Sequence, residues 1–459
     1  AFDELLKIQV ENNLKKISWQ KYSQSLPIKL DRGKLQEFIK NLPFNLTPSQ
    51  LRSIGEISDD LEKVHPMNRL LEGDVGSGKT VVAAAGAYLA FLNGYQSIVM
   101  APTQILASQH FATFKSLLSK HKVEVSLITA ATVKKKQGNA DVLIGTHALI
   151  ESTANFRKVA FVVIDEQHRF GVKQRGKLAK KAISGGSAPN ILTMTATPIP
   201  RTIALTLYGD LDLSTLDEIP TTRPKVTTWI VPESKRQKAY RWLSDLIKKN
   251  SSQAFVVCPL IEESESMPLK EVKAVKLEIN KLKILLPKLK IGLLHGQMKA
   301  KEKDKVLDDF KNKKYDILVT TPVVEVGIDI PNAVVMVIET AERYGLAQLH
   351  QLRGRVGRGE KKSYCLLFTT NSGSKVKERL TALTKSHSGR ELAELDLKIR
   401  GVGEIFGTRQ HGVGELKIAS WQDIDLIKKS RKLALEIVNN QDKYVSIIDY
   451  FKSKQIADN

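Results

Sequence analysis

The sequence predicts an α/β fold of two successive parallel sheets, each covered by helices, with a helical C-terminal region behind them. Three observations carry this reading. Short apolar runs alternate with helical patterns from about 44 to 220; the same alternation restarts after a Pro/Thr-rich join, "DEIPTTRPKVTT", at 217–228; and strand-like runs stop from about 375 onward. Apolar runs without polar alternation are what strands buried on both faces require, and such strands belong to parallel sheets.

In chain order, Phe2, Leu5, Leu6, Val10, Leu14 and Ile17 recur at helical spacing and predict a helix that packs on something. In the first α/β stretch, "SIVMAP", "DVLIGT", "FVVIDE" and "ILTMTA" read as buried strands that end in polar or small residues. In the second, "AFVVCPLI", "IGLLHG", "DILVTT", "VVMVIE" and "YCLLFT" do the same. Between these, the basic stretch at 270–290 reads as an amphipathic helix with a solvated face. The expected division is 1–43 as a linker helix region, 44–220 and 221–374 as the two α/β units, and 375–459 as C-terminal helices with a loop.

The 459 residues are 42% hydrophobic and 26% charged, enough apolar content for sizeable cores. No stretch approaches the ~18 apolar residues of a membrane span, and no signal peptide is recognised. The chain opens on Ala1, which points to a processed chain or a piece of a longer one. Net charge is +22, from 71 Lys+Arg against 49 Asp+Glu, so a polyanion is the expected partner, nucleic acid before an acidic membrane surface. Surface lysines that only solubilise would produce the same count. Cys258 and Cys365 both lie in apolar runs, which excludes a disulfide framework and a cysteine-based zinc site and fits a reducing cytoplasm.

Residues 73–80, "GDVGSGKT", match G-x-x-x-x-G-K-[ST]. Gly73, Asp74, Val75, Gly76, Ser77 and Gly78 would curl backbone N–H groups around phosphates; Lys79 would reach the β/γ-phosphates and Thr80 would hold Mg²⁺. The following "VVAAAGAYLAFL" is strongly helical, as such a loop requires. In "VVIDEQH" (162–168) a buried strand runs into Asp165 and Glu166, at the sheet edge where ligands bind in such folds. Asp165 would hold Mg²⁺ through its water shell, and Glu166 would orient and deprotonate the attacking water. "QLRGRVGRG" (351–359) supplies Gln351, Arg355 and Arg358, whose helical spacing would place the two arginines near one another. Guanidinium groups suit the charge that builds on a transferred phosphoryl group, so the expected chemistry is ATP hydrolysis tied to domain movement.

With these stretches in hand the chain resembles the superfamily 2 helicase motors, and among them the RecG family of bacterial branched-DNA translocases. The resemblance runs over essentially the whole chain and implies two tandem RecA-like P-loop motor domains followed by a helical hairpin and loop. "FNLTPSQ" (44–50) is similar to the adenine-recognition motif, which assigns Phe44 to pack on the base and Gln50 to bond its edge. "APTQILASQH" (101–110), with Thr103 and Gln109, and "GTHAL" (145–149), with Thr146 and His147, resemble strand-contacting motifs. "TATPIPRT" (195–202), with Thr195 and Thr197, resembles the motif that couples hydrolysis to DNA.

In the second unit "GLLHGQM" (292–298), with His295, and "VTTPVVEVGIDIPN" (319–332), with Thr320 and Thr321, match the remaining motifs. Gly327 and Asp329 of the latter resemble residues that face nucleotide. Pro322 departs from the family's usual non-proline residue, with a minor loop effect expected. "DEQHRFGVKQR" (165–175) is shared with the transcription–repair coupling translocase, whereas "VCPLIEESE" and "AERYGLAQLHQLRGRVGRG" are closer to the RecG family.

The stretch "GVGEIFGTRQHG" (401–412) looks at first like a dinucleotide fingerprint, but its glycine spacing is wrong and the charged, helix-like "ELAELDLKIR" precedes it instead of a strand. The resemblance makes it a hinge that presents Arg409 and Gln410 to DNA. The opening "AFDELLKIQ" resembles the helix that joins a wedge domain to the motor, so the expectation is a motor portion without that wedge.

The expected function is that of an ATP- and Mg²⁺-dependent translocase on duplex DNA that, in its full-length protein, regresses stalled forks and migrates branched junctions. A coupling-type translocase of transcription-coupled repair and a non-cycling ATP-gated DNA clamp stand as the alternatives. Branched and duplex DNA are the expected partners, single-strand DNA-binding protein is a further candidate, no membrane is involved, and a monomer in the bacterial cytoplasm at the nucleoid is expected.

Overall fold

The computed structural model describes residues 1–22, 24–128, 139–146, 149, 156–166, 187–197, 206, 209–218, 224–259, 278–322, 330–359, 361–371, 373–400, 419 and 423–448. The chain forms two compact units: residues 1–73, 77–218 and 400–459 in the first, and 74–76 with 219–399 in the second.

The first unit begins with α1 (Phe2–Tyr22), β1 (Gln24–Ser25), α2 (Arg32–Lys40) and α3 (Pro48–Leu61). It continues through β2 (Asn68–Gly73), α4 (Lys79–Leu92), β3 (Gln96–Met100), α5 (Gln104–Leu118), β4 (Val125–Ile128) and β5 (Val142–Gly145). β6 (Val159–Asp165), β7 (Ser187–Ala188), β8 (Asn190–Thr195) and β9 (Asp212–Leu216) complete its strands. Seven of these form a sheet in the order β4-β5-β3-β6-β8-β2-β9, parallel throughout, while β1 and β7 make a small separate pair. All seven residues of β6 are buried, as a central parallel strand demands.

Helix α4 lies close on this sheet because its residues are small: Val81 through Ala90 are all buried. A Cβ on Gly86 would come within 2.6 Å of the Phe161 ring, so glycine is what permits this approach. Helix α3 starts sharply because Thr47 caps it, with Pro48 in the first turn and Gln50 closing the capping box.

The second unit contains β10 (Thr227–Pro232), α6 (Arg236–Asn250), β11 (Gln253–Val257), β12 (Ile291–Leu294), α7 (Ala300–Lys311), β13 (Ile317–Thr320) and β14 (Ala333–Ile338). After these come α8 (Leu346–Arg353), β15 (Tyr364–Thr369), α9 (Ser374–Lys385) and α10 (Gly389–Arg400). Its six strands run parallel in the order β10-β15-β14-β11-β13-β12. Val231, Leu243, Val256, Val319, Val337 and Leu366 belong to the core between this sheet and α6.

The two-sheet fold class is as the sequence predicts, and each apolar run named above as a strand is one. Within 270–290, residues 278–285 are helical. Ile279 and Leu282 enter the core while Ile284 is 80% exposed, so this helix has both a packed and a solvated face. The partner of α1 is α11 (Ile424–Asn439), from the far end of the chain. Leu6 and Val10 pack with Ala434, Ile437 and Val438, and Gln9 Nε2 donates to Ile427 O at 3.1 Å and Ser430 Oγ at 3.2 Å.

Among the described residues no helix is long and apolar enough to cross a membrane.

Candidate active site

The sheet order places three candidate motifs side by side. β8 lies between β2 and β6, with Glu72 opposite Thr195 and Met194 opposite Asp165. The loop after β2, the Thr195 segment and the Asp165–Glu166 pair therefore leave adjacent strands at one edge. Two further loops leave that edge next to them, since Met100 lies opposite Ile164 and Gly145 opposite Met100. Thr103 and Thr146 follow directly on these strand ends.

The loop from Gly73 to Lys79 turns through two left-handed glycines, Gly76 at φ 84° and Gly78 at φ 87°. Gln50 is 3% exposed and grips this loop from α3: its Nε2 donates to Ser77 O at 2.7 Å, and its Oε1 accepts from Thr47 N at 2.9 Å. A Cβ on Gly78 would stand 2.2 Å from Gln50 Nε2. Gly78→Ala is therefore expected to cost about 1–3 kcal/mol from the left-handed backbone alone, and also to displace Gln50. A lower melting temperature together with weaker nucleotide binding would check this; wild-type values for both would contradict it.

Ser77 is fully buried, and its Oγ has no hydrogen-bond partner among the described residues. A buried hydroxyl without a partner inside a glycine loop at a helix N-terminus fits an oxyanion ligand. Lys79 Nζ donates to Gly73 O at 2.7 Å, which folds the side chain back over the loop, and Thr80 beside it is half-buried. Asp74, Val75 and Gly76 group with the second unit, where Asp74 accepts from Gly389 N at 3.0 Å and pairs with His350 Nε2 at 3.1 Å. Phe44 is 48% exposed, a large apolar ring open to a stacking partner.

Asp165 ends β6 and is 7% exposed. Its Oδ2 is 2.7 Å from His110 Nε2, and its Oδ1 accepts the Glu166 N–H at 3.1 Å. Burial alone would push this carboxyl up; the His110 hydrogen bond and charge, helped by Lys79 and the Glu166 N–H, outweigh it and hold the group below the usual carboxylate range. Glu166 itself sits at φ 53°, a left-handed backbone rare outside glycine. His110 has no assigned role in the sequence reading although it ends the quoted "APTQILASQH". It occupies an otherwise apolar stripe of α5 with Leu106, Ala107, Phe114 and Leu118, and a histidine on such a face is the signal that could have found it.

The threonines divide. Thr103 caps α5, accepting from Leu106 N at 3.3 Å, and Gln109 is half-buried on the same helix. Thr195 is 4% exposed and its Oγ1 accepts from Thr197 N at 3.1 Å. In the second unit Thr320 is fully buried and donates to Thr321 O at 2.7 Å; Thr321 is also buried, and both lie beside the half-buried His295 at the ends of adjacent strands. The hydroxyls of Thr195 and Thr320 thus serve the local backbone, while Thr146 and Thr197 are the more open of the set.

The arginine segment departs from expectation. Helical spacing predicts one helix through Arg355 and Arg358, but α8 ends at Arg353 with Gly354 as its cap. Gly357 at φ 74° turns the chain away, so the two arginines lie on a turn instead. Gln351 and Arg355 are buried; Arg358 is half-buried, with Nε 3.5 Å from Gly354 O. Arg353, not singled out from sequence, ties α8 to α9 by donating to Leu383 O at 2.6 Å and Ser386 O at 2.9 Å. His147, Gly327, Asp329, Arg409 and Gln410 lie outside the described residues.

Known proteins share both the sequence and this arrangement. A DEAD/DEAH box helicase family model matches residues 47–206, a helicase conserved C-terminal domain model 238–360, and a model of the C-terminal part of RecG domain 3 residues 386–451. The ATP-dependent DNA helicase RecG of Streptococcus pneumoniae serotype 4 is 44% identical over 442 residues, covering 94% of this chain and 65% of that protein. A solved structure of RecG bound to a three-way DNA junction superposes with a TM-score of 0.79 at 40% identity, covering 95% of this chain and 56% of that one. S. cerevisiae Dbp5 bound to RNA and ADP BeF3, at 20% identity and a TM-score of 0.53 over 77% of this chain and 97% of its own, shares the fold alone. The chain spans 53–65% of the length of the curated relatives it matches.

Proposed function

Because this chain belongs to the RecG family of ATP-dependent DNA helicases, we propose that it is an ATP-driven motor on duplex DNA. Within its full-length protein it would act on branched DNA, regressing stalled forks and migrating junctions. The observation that carries the ATPase part is the shared sheet edge: a glycine loop with a partnerless buried Ser77 hydroxyl, one strand away from a charged Asp165 and its neighbour Glu166. The DNA part is supported by the relatives' printed function, by the junction-bound RecG structure and by a net charge of +22.

In this reading Ser77, Gly78 and Lys79 hold the phosphates, and Phe44 stacks on the base. The Gln50 amide has one N–H and one lone pair beyond those used among the described residues, and these recognise the base edge. Thr80 and Asp165 are the residues that would hold Mg²⁺, which when bound would neutralise charge between the β- and γ-phosphates. Glu166 takes a proton from the attacking water, and Gln351, Arg355 and Arg358 act on the transferred phosphoryl group. Gly327 and Asp329 are assigned to nucleotide. Thr103, Gln109, Thr146, His147, Thr195, Thr197, His295, Thr320, Thr321, Arg409 and Gln410 are assigned to DNA contact or coupling; for the buried Thr195 and Thr320 the role is to shape the backbone that meets the strand. Residues 44–220 and 221–374 are the motor domains on this reading, and 375–459 carries the coupling loop. Single-strand DNA-binding protein as a partner, a monomeric state and a nucleoid location complete the proposal. ATP turnover by the full-length protein, with and without duplex or forked DNA, tests it.

A further inference from the structure

We propose that His110 is a positioning residue for ATP hydrolysis: it locks Asp165 and, through Asp165, the backbone that presents Glu166. The role rests on the ATPase reading above and deepens it. Both oxygens of Asp165 are engaged, Oδ2 by His110 Nε2 at 2.7 Å and Oδ1 by the Glu166 N–H at 3.1 Å, so the plane of the carboxylate is fixed. Glu166 holds a left-handed φ of 53°, a conformation that a non-glycine residue keeps only when its surroundings enforce it. The Asp165–Glu166 hydrogen bond is one such constraint, and His110 is what keeps Asp165 oriented to make it.

His110 is itself rigidly placed. It is 7% exposed, on the buried face of α5, with the Phe114 ring edge-on at 6.5 Å. Helix α5 follows β3, which pairs directly with β6, so the donor reaches across from the neighbouring strand's helix onto the end of the carboxylate's own strand. Without that donor the Asp165 side chain can rotate away, and the grip on the Glu166 N–H goes with it. The loop that would hold nucleotide leaves β2, which β8 and β6 separate from β3, so the loss should fall on turnover and spare binding.

The test compares His110→Leu and His110→Gln in the full-length protein. Leucine keeps an apolar side chain of similar bulk on the α5 face. Glutamine carries its amide nitrogen the same number of bonds from Cα as histidine carries Nε2, so it can restore the donor. DNA-stimulated kcat in His110→Leu should fall on the order of 10- to 100-fold, the range lost when a residue that orients a metal-binding or reacting group is removed, with KM for ATP within about threefold. His110→Gln should recover most of the loss, and fluorescent-nucleotide affinity should match wild type in both variants. The role is overturned if His110→Leu turns over like wild type, if kcat and nucleotide affinity fall together, or if a folded His110→Gln is no better than His110→Leu. A wild-type protein without turnover would overturn the ATPase reading and this role with it, whereas an active wild type with an equally active His110→Leu overturns only the role.

Discussion

Glu166→Gln is expected to reduce ATP turnover by at least about 10³-fold while leaving ATP affinity within a few-fold of wild type. The substitution is isosteric and keeps the backbone N–H that Asp165 Oδ1 accepts at 3.1 Å, so the left-handed turn at φ 53° persists. Asp165 retains His110 and its charge, and the phosphate loop is untouched. What disappears is the carboxylate placed to take a proton from water. Single-turnover hydrolysis beside equilibrium nucleotide binding checks this; turnover near wild type would remove Glu166 from the role of base.

Arg358→Ala carries the second large effect. An arginine aimed at the transferred phosphoryl group is worth about 10³–10⁵ in kcat, and the half-buried Arg358, its Nε 3.5 Å from Gly354 O, has more reach than the buried Arg355. Its loss is expected to cost about 10³-fold in kcat with the melting temperature unchanged. Arg353→Ala is the internal control. It removes donors to Leu383 O and Ser386 O and the 2.8 Å contact with His350 Nδ1, so its effect belongs in the melting temperature first. If Arg358→Ala destabilised the fold as much as Arg353→Ala without a specific loss of kcat, the assignment of Arg358 would be wrong.

How far the sequence can be read depends on how local each feature is. Strands such as β6 and β14 are legible because burial on both faces writes an unbroken apolar run. The phosphate loop and the acidic pair are legible because their chemistry sits within a few consecutive residues. β2, which launches that loop, is harder to read: "NRLLEG" has too few apolar residues to declare itself, and only its neighbours β8 and β9 make it a strand.

The bond between His110 and Asp165 spans 55 positions, and nothing local to either residue announces the other. The packing of α1 on α11 is more remote still, with Gln9 bonded 421 residues away. The end of α8 is ambiguous in sequence because i, i+3 spacing between arginines is satisfied by a helix and equally by a turn. Gly354 and Gly357 are the residues that select the turn. Threonines carry a similar ambiguity: a hydroxyl at a strand end can face a strand of DNA or its own backbone, and only burial distinguishes them.

The measurement that bears most directly on the central claim is steady-state ATP hydrolysis by the full-length protein, titrated with duplex and with forked DNA at several salt concentrations. The account predicts turnover that rises several-fold with DNA, most on forked DNA, and a half-saturating DNA concentration that climbs steeply with salt, as phosphate-dominated binding requires. Turnover that is indifferent to DNA would contradict it.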